Sequence, residues 1–150
     1  MTQRRPQTAA AHAPIAYAPS PDDLHRERVQ AEAHRRCLIP AMTEADWRSV
    51  MAAVSALPFP PPYQRKDILM LAPQPAVFDA DVSYHGDWVE GIHPLYAIEW
   101  IRIRPRFLKH VAQRLPPVLV DIQPELERAL KAVGHPYNQA ADSIWLVGYR

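Results

Sequence analysis

The stretch Tyr96-Ala97-Ile98-Glu99-Trp100-Ile101-Arg102-Ile103-Arg104 decides the fold. Side chains alternate across an extended chain, so Ile98 and Trp100 share one face, with Arg102 and Arg104 following them. Ile101 and Ile103 share the other face. Both faces are partly apolar, which is the pattern of a strand covered on both sides, and a central strand is predicted.

Working upstream, Phe78, Ala80, Val82 and Tyr84 alternate with Asp79, Asp81 and Ser83, which predicts a half-buried strand over 78–84. His85-Gly86-Asp87-Trp88 reads as a turn or bulge, and Gly91 with Pro94 marks another turn. After Arg65-Lys66-Asp67, the short run Ile68 to Leu71 fits either a strand or a turn of helix. Pro58, Pro60, Pro61 and Pro62 form a stiff extended spacer. Before it, Trp47, Val50, Met51, Val54 and Leu57 recur at helical spacing, with a capping box expected from Thr43 and Asp46 and a stop at Pro58.

Downstream, Phe107 to Leu115 is basic and is expected to be a short helix, broken by Pro116 and Pro117. Val118 to Ile122 is extended. A second helix is predicted from Gln123 or Pro124 to Val133, burying Leu126, Ala129, Leu130 and Val133. Pro124 suits its first position, and Gly134 with Pro136 its stop. Ser143 to Tyr149 alternates again and is expected as a terminal strand inserted into the sheet. This order predicts an α+β fold: a mainly antiparallel sheet with two principal helices packed on one face.

The 150 residues suit one domain, and 48% hydrophobic content suffices for a core. Residues 1–21 carry too few large apolar groups to offset the entropy of ordering, so a flexible arm is expected there. A loosely docked helix is expected within 22–40, with the thin stripe Leu24, Val29, Ala31 and Ala33, followed by the domain proper at 41–150. The alanine-rich N-terminus is interrupted by His12, Pro14 and Pro19 and does not read as an export signal. No apolar run approaches the ~20 residues of a membrane span. The single Cys37 cannot form an internal disulfide, in keeping with a cytoplasmic location and no membrane partner.

The Trp47 helix, the step Arg65-Lys66-Asp67, the turn Gly86-Asp87-Trp88, the strand Ile98-Glu99-Trp100-Ile101 and the closing Gly148-Tyr149 together resemble a family of small bacterial α/β proteins of unknown function. The resemblance covers roughly 43–150. It implies the order helix, strands, helix, strand and transfers no catalytic residue. In size and style the domain is also similar to immunity proteins that neutralise bacterial toxins, an analogy of architecture alone.

Charge is segregated. Asp79, Asp81, Asp87, Glu90 and Glu99 lie in a stretch without Lys or Arg, and Arg102, Arg104, Arg106, Lys109 and Arg114 follow without an acid. One reading has the two sets facing each other. The other makes the acidic set, beside Tyr84, Trp88, Tyr96 and Trp100, a surface for a basic partner, because aromatic rings supply buried area and carboxylates supply steering. The leading expectation is a non-enzymatic protein-binding protein, of the immunity type, that docks a basic toxin domain through Asp79, Asp81, Asp87, Trp88 and Glu90. A metal-dependent hydrolase using Asp79, Asp81, His85 and Asp87, with His93 nearby, is the first alternative. A nucleic-acid-associated regulator using Arg102, Arg104, Arg106 and Lys109 is the second, disfavoured by a net charge of +1. The four glycines form no phosphate loop, there is no Gly-x-Ser-x-Gly elbow, and no cofactor is expected.

Overall fold

A computed structural model describes residues 17–150. Its central strand, β2 (Ile98–Ile103), is the one expected. It lies between β1 (Tyr63–Asp67) and β6 (Ser143–Val147), and β6 pairs in turn with β5 (Asn138–Ala140). All three pairings are antiparallel. Tyr96 and Ala97 form part of a 3-10 turn that leads into β2.

The register places Ile101 opposite Leu146 and Ile103 opposite Ile144. These four buried residues meet Trp47, Val50 and Val54 of α2 (Glu44–Ser55) and Leu126 and Leu130 of α3 (Gln123–Val133) in one core. Burying each such side chain contributes about 1.5–3 kcal/mol before the entropy of ordering is subtracted. The protein is therefore α+β, as the hydrophobic periods require.

The helix ends follow local chemistry. Thr43 Oγ1 accepts from the Asp46 amide at 3.1 Å, and the Asp46 carboxylate accepts from the Thr43 amide at 2.8 Å. α3 stops at Gly134, whose φ of 76° is the left-handed conformation that a glycine adopts without penalty. The N-terminal helix α1 (Pro21–Arg35) opens with a second capping box, Ser20 with Asp23. Of its apolar stripe, Val29 and Ala33 are buried, while Leu24 is exposed. Val29 shares a cluster with Ile68 and Ala97, so the helix is seated on the domain. Residues 1–16 of the expected arm lie outside the described residues.

Three local expectations need correction. Segment 78–84 forms no strand. Phe78 is buried as the alternation required, but Asp79 and Asp81 bond to arginine side chains, and these contacts hold the segment in place of a ladder. The expected helix at 107–115 is absent. Its first part is β3 (Arg106–Lys109), which pairs with β4 (Val118–Asp121) in a separate two-stranded sheet. The Leu108 amide donates to the Val82 carbonyl at 2.7 Å, fixing the extended form. Ile68 to Leu71 is a turn, and the strand lies before it, in β1.

Candidate functional site

Loop 84–91 carries three of the five residues expected to face a partner. Trp88 is 1% exposed. Its Nε1–H donates to the Pro61 carbonyl at 2.7 Å, and its ring meets Tyr63 edge-on at 4.9 Å. The proline run brings that carbonyl close: a Cβ at Gly86 would lie 2.3 Å from the Pro61 oxygen, so only glycine fits. The expectation of a solvent-facing indole is thus overturned. Asp87 and Glu90 are exposed, but the Asp87 carboxylate turns inward to its own loop. It accepts from the Glu90 amide at 2.9 Å and the Val89 amide at 3.3 Å. These bonds, the Glu90 amide first, hold Asp87 below the usual carboxylate range.

Asp79 and Asp81 meet the arginines instead. Arg102 lies 3.1 Å from Asp79. Asp81 sits 3.0 Å from Arg104 and 2.6 Å from Arg106, and Asp142 lies 2.7 Å and 2.8 Å from the same two guanidiniums. The Arg104 side chain is 3% exposed, and a cation at that depth requires matched carboxylates. Burial pushes the Asp142 carboxyl up, but a hydrogen bond from Ser143 and the charges of Arg104 and Arg106 outweigh it and hold it low. Of the two readings of the segregated charge, the facing one describes Asp79 and Asp81. It draws Asp81 into the fold, leaves the 81% exposed Asp79 side chain at the surface beside Arg102, and removes Arg102, Arg104 and Arg106 from a nucleic-acid surface.

The proposed metal ligands are not brought together. No group of three or more His, Cys, Asp or Glu side chains converges for a metal ion among the described residues. Asp79 and Asp81 point to arginines, and His85 packs against Phe59 and Phe107 at 5.5 Å and 4.6 Å between ring centroids. His85 and Asp87 do line a shallow groove of about 330 Å³ with Tyr63, Arg65 and Tyr84. The Arg65 guanidinium at its floor is already engaged, by Asp67 at 2.6 Å and 2.8 Å and by the His93 carbonyl at 2.9 Å.

A different surface is open. The β3–β4 hairpin exposes Val111 (53%), Leu115 (60%), Val118 (51%) and Leu119 (46%). Lys109, His110 and Arg114 stand exposed in the same element. Among the described residues, no carboxylate lies within ion-pair distance of Lys109, His110 or Arg114. Exposed apolar side chains within one hairpin, flanked by Lys109 and Arg114, make it a candidate interaction surface. The signal that could have found it is Val118-Leu119-Val120 directly after Pro116-Pro117, an extended apolar run with no helix beside it to cover it.

The described residues contain no helix long and apolar enough to cross a membrane. The model of DUF6678, a family of unknown function, matches residues 29–150, and the chain belongs to that family. The match takes in every element of the resemblance, and it also includes the half of α1 that Val29 and Ala33 seat on the domain. No curated protein and no solved structure matches the chain.

Proposed function

We propose that this member of DUF6678 is a non-enzymatic protein-binding protein whose contact element is the β3–β4 hairpin. The observation that carries this reading is the grouping of exposed Val111 and Leu115 with the unpaired cations Lys109 and Arg114 in one hairpin. Apolar area supplies the affinity, and the cations select a partner with carboxylates around an apolar face. A narrower role, neutralising a basic toxin, rested on Asp79, Asp81, Asp87, Trp88 and Glu90. Four of those five side chains make contacts within the fold, all but Glu90, so an immunity role would need a toxin with an acidic face. A cytosolic setting belongs to the proposal, in keeping with the free Cys37.

Site-specific photo-crosslinking in cells tests the reading. A photoreactive residue at Val111 should give a discrete protein adduct, and the same residue at exposed Ala52 on α2 should not. The adduct should be lost when Lys109→Glu and Arg114→Glu are combined. Adducts indistinguishable between the two positions, or unaffected by charge reversal, would overturn it.

A further inference from the structure

We infer that the outer edge of β4 pairs with β4 of a second copy of this chain, joining two hairpins into one four-stranded antiparallel sheet. The inference goes beyond the reading above by naming the partner of the edge. It rests on that reading only in taking the exposed hairpin as a contact element.

The edge follows from the register. Opposite residues of an antiparallel pair are either both hydrogen-bonded to each other or both turned outward. The Leu108 amide bonds outward, to Val82, so its partner Leu119 also turns its N–H and C=O outward, on the free side of β4. By alternation Asp121 does the same. Neither main chain has a described partner there. Other edges are closed or short: β3 is met by Val82, Gln74 pairs with Arg65 of β1 at 2.8 Å in both directions, and β5 has three residues.

β4 is protected only at its ends, by Pro116-Pro117 before it and by Asp121 at its close. It holds no lysine and no proline between Val118 and Asp121. A two-stranded sheet is marginal in water, and extending it to four strands shelters Val118 and Leu119.

The second copy is the occupant whose chemistry fits. Its strand is Val-Leu-Val-Asp, apolar with one carboxylate at the end away from the hairpin tip. The tip carries Lys109, His110 and Arg114, and the base carries Asp121 and, in α3, Glu127. Antiparallel pairing about a twofold axis sends each Asp121 toward the other copy's tip, so each cationic end meets an acidic one. Parallel pairing would put like charges together. A lipid surface would leave the outward Leu119 and Asp121 amides without acceptors.

Sedimentation velocity on the full chain, over about a hundredfold range of concentration, tests this directly. A concentration-dependent dimer is expected, in which the Leu119 amide gains protection from hydrogen exchange as the dimer fills. Leu119→Pro removes the outward N–H and leaves the β3 ladder intact, and should raise the dimer dissociation constant at least tenfold. With the twofold axis at Leu119, so that the two Leu119 residues bond to each other, Leu119→Lys keeps that N–H but brings like charges together there. It should also raise the constant, by less at high salt, and it decides the matter if the proline variant loses the hairpin. A monomer at every concentration overturns the inference, and so does a dimer that Leu119→Lys leaves unchanged. The mass of the Val111 adduct separates the two proposals: an adduct of two copies of this chain belongs to the dimer, and an adduct of any other mass belongs to a different partner and stands whether or not the dimer forms.

Discussion

The indole N–H of Trp88 donates to the main-chain carbonyl of Pro61 at 2.7 Å, joining residues 27 positions apart in the chain. The bond anchors loop 84–91 over the proline run and satisfies the one polar atom that a buried tryptophan carries. Trp88→Ala should destabilise the fold by about 3–5 kcal/mol, the usual cost of emptying a large core site. Trp88→Phe keeps a ring there but leaves the Pro61 carbonyl unpaired, and should cost about 1–3 kcal/mol. Urea unfolding at neutral pH, followed by far-ultraviolet circular dichroism, measures both. A Trp88→Ala variant as stable as the parent would contradict the buried placement.

Asp81 and Asp142 share Arg104 and Arg106, so each covers part of the other's loss. Asp81→Ala and Asp142→Ala should each be mild, at about 1–2 kcal/mol, because the remaining carboxylate still faces Arg104. The double variant leaves a nearly inaccessible guanidinium without an anion and should cost about 3–5 kcal/mol. A double-mutant cycle should therefore show a loss greater than the sum of the singles. Strict additivity would mean that the two carboxylates act independently.

Gly148 stands where the last strand crosses β2. A Cβ there would lie 2.1 Å from the Ile98 carbonyl oxygen and 3.1 Å from the Trp47 ring. Backbone and a core indole offer little room to yield, and the Gly148 amide is tied to the Glu99 carbonyl at 2.8 Å. Gly148→Ala should lower stability by about 2 kcal/mol or more through overpacking, visible as a fall in the thermal midpoint. Gly134→Ala offers the contrast. No atom lies near its Cβ, and the cost there arises from the left-handed φ alone, at about 1 kcal/mol.

The elements legible in the sequence are those whose burial is apolar and periodic. Trp47, Val50 and Val54 marked α2, Leu126 and Leu130 marked α3, and Ile101 with Ile103 marked the central strand. β1 was hidden because it buries Gln64 and Arg65, whose partners are the Pro75 carbonyl, Asp67 and the His93 carbonyl. A buried polar residue cannot be told from an exposed one until its partners are known. Segment 78–84 alternates as a strand does, yet its carboxylates compete for arginines and no ladder forms. At the candidate site the separation of charge was legible, but not its consequence. Which carboxylate meets which guanidinium depends on β2 passing beside 79–81, a tertiary fact. The hairpin escaped notice because Phe107 to Leu115 has a helix-compatible composition, and one hydrogen bond to Val82 decides otherwise.

Glu99 links three parts of the chain: it projects from β2, meets Lys66 of β1 at 2.6 Å, and takes two bonds from Arg36, just past α1, at 2.6 Å and 2.9 Å. Burial pushes its carboxyl up, but the hydrogen bonds from Arg36 and Lys66 outweigh that and hold it below its ordinary value of 4.5. A folded-state pKa below the unfolded one means that the unfolded chain binds more protons between the two values. The stabilisation from Glu99 is therefore complete above about 4.5 and is lost as pH falls through the lower, folded value. Glu99→Gln should cost about 2 kcal/mol at neutral pH, since it replaces charge-assisted bonds with neutral ones. The gap between variant and parent should narrow as the medium is acidified below that range. Hydrogen exchange at the Ile39 amide, which bonds to the Arg150 carbonyl at 2.8 Å beside this link, should quicken in the variant at neutral pH. A stability difference that stays constant down to strongly acid solution would show that Glu99 acts through packing and not through its charge.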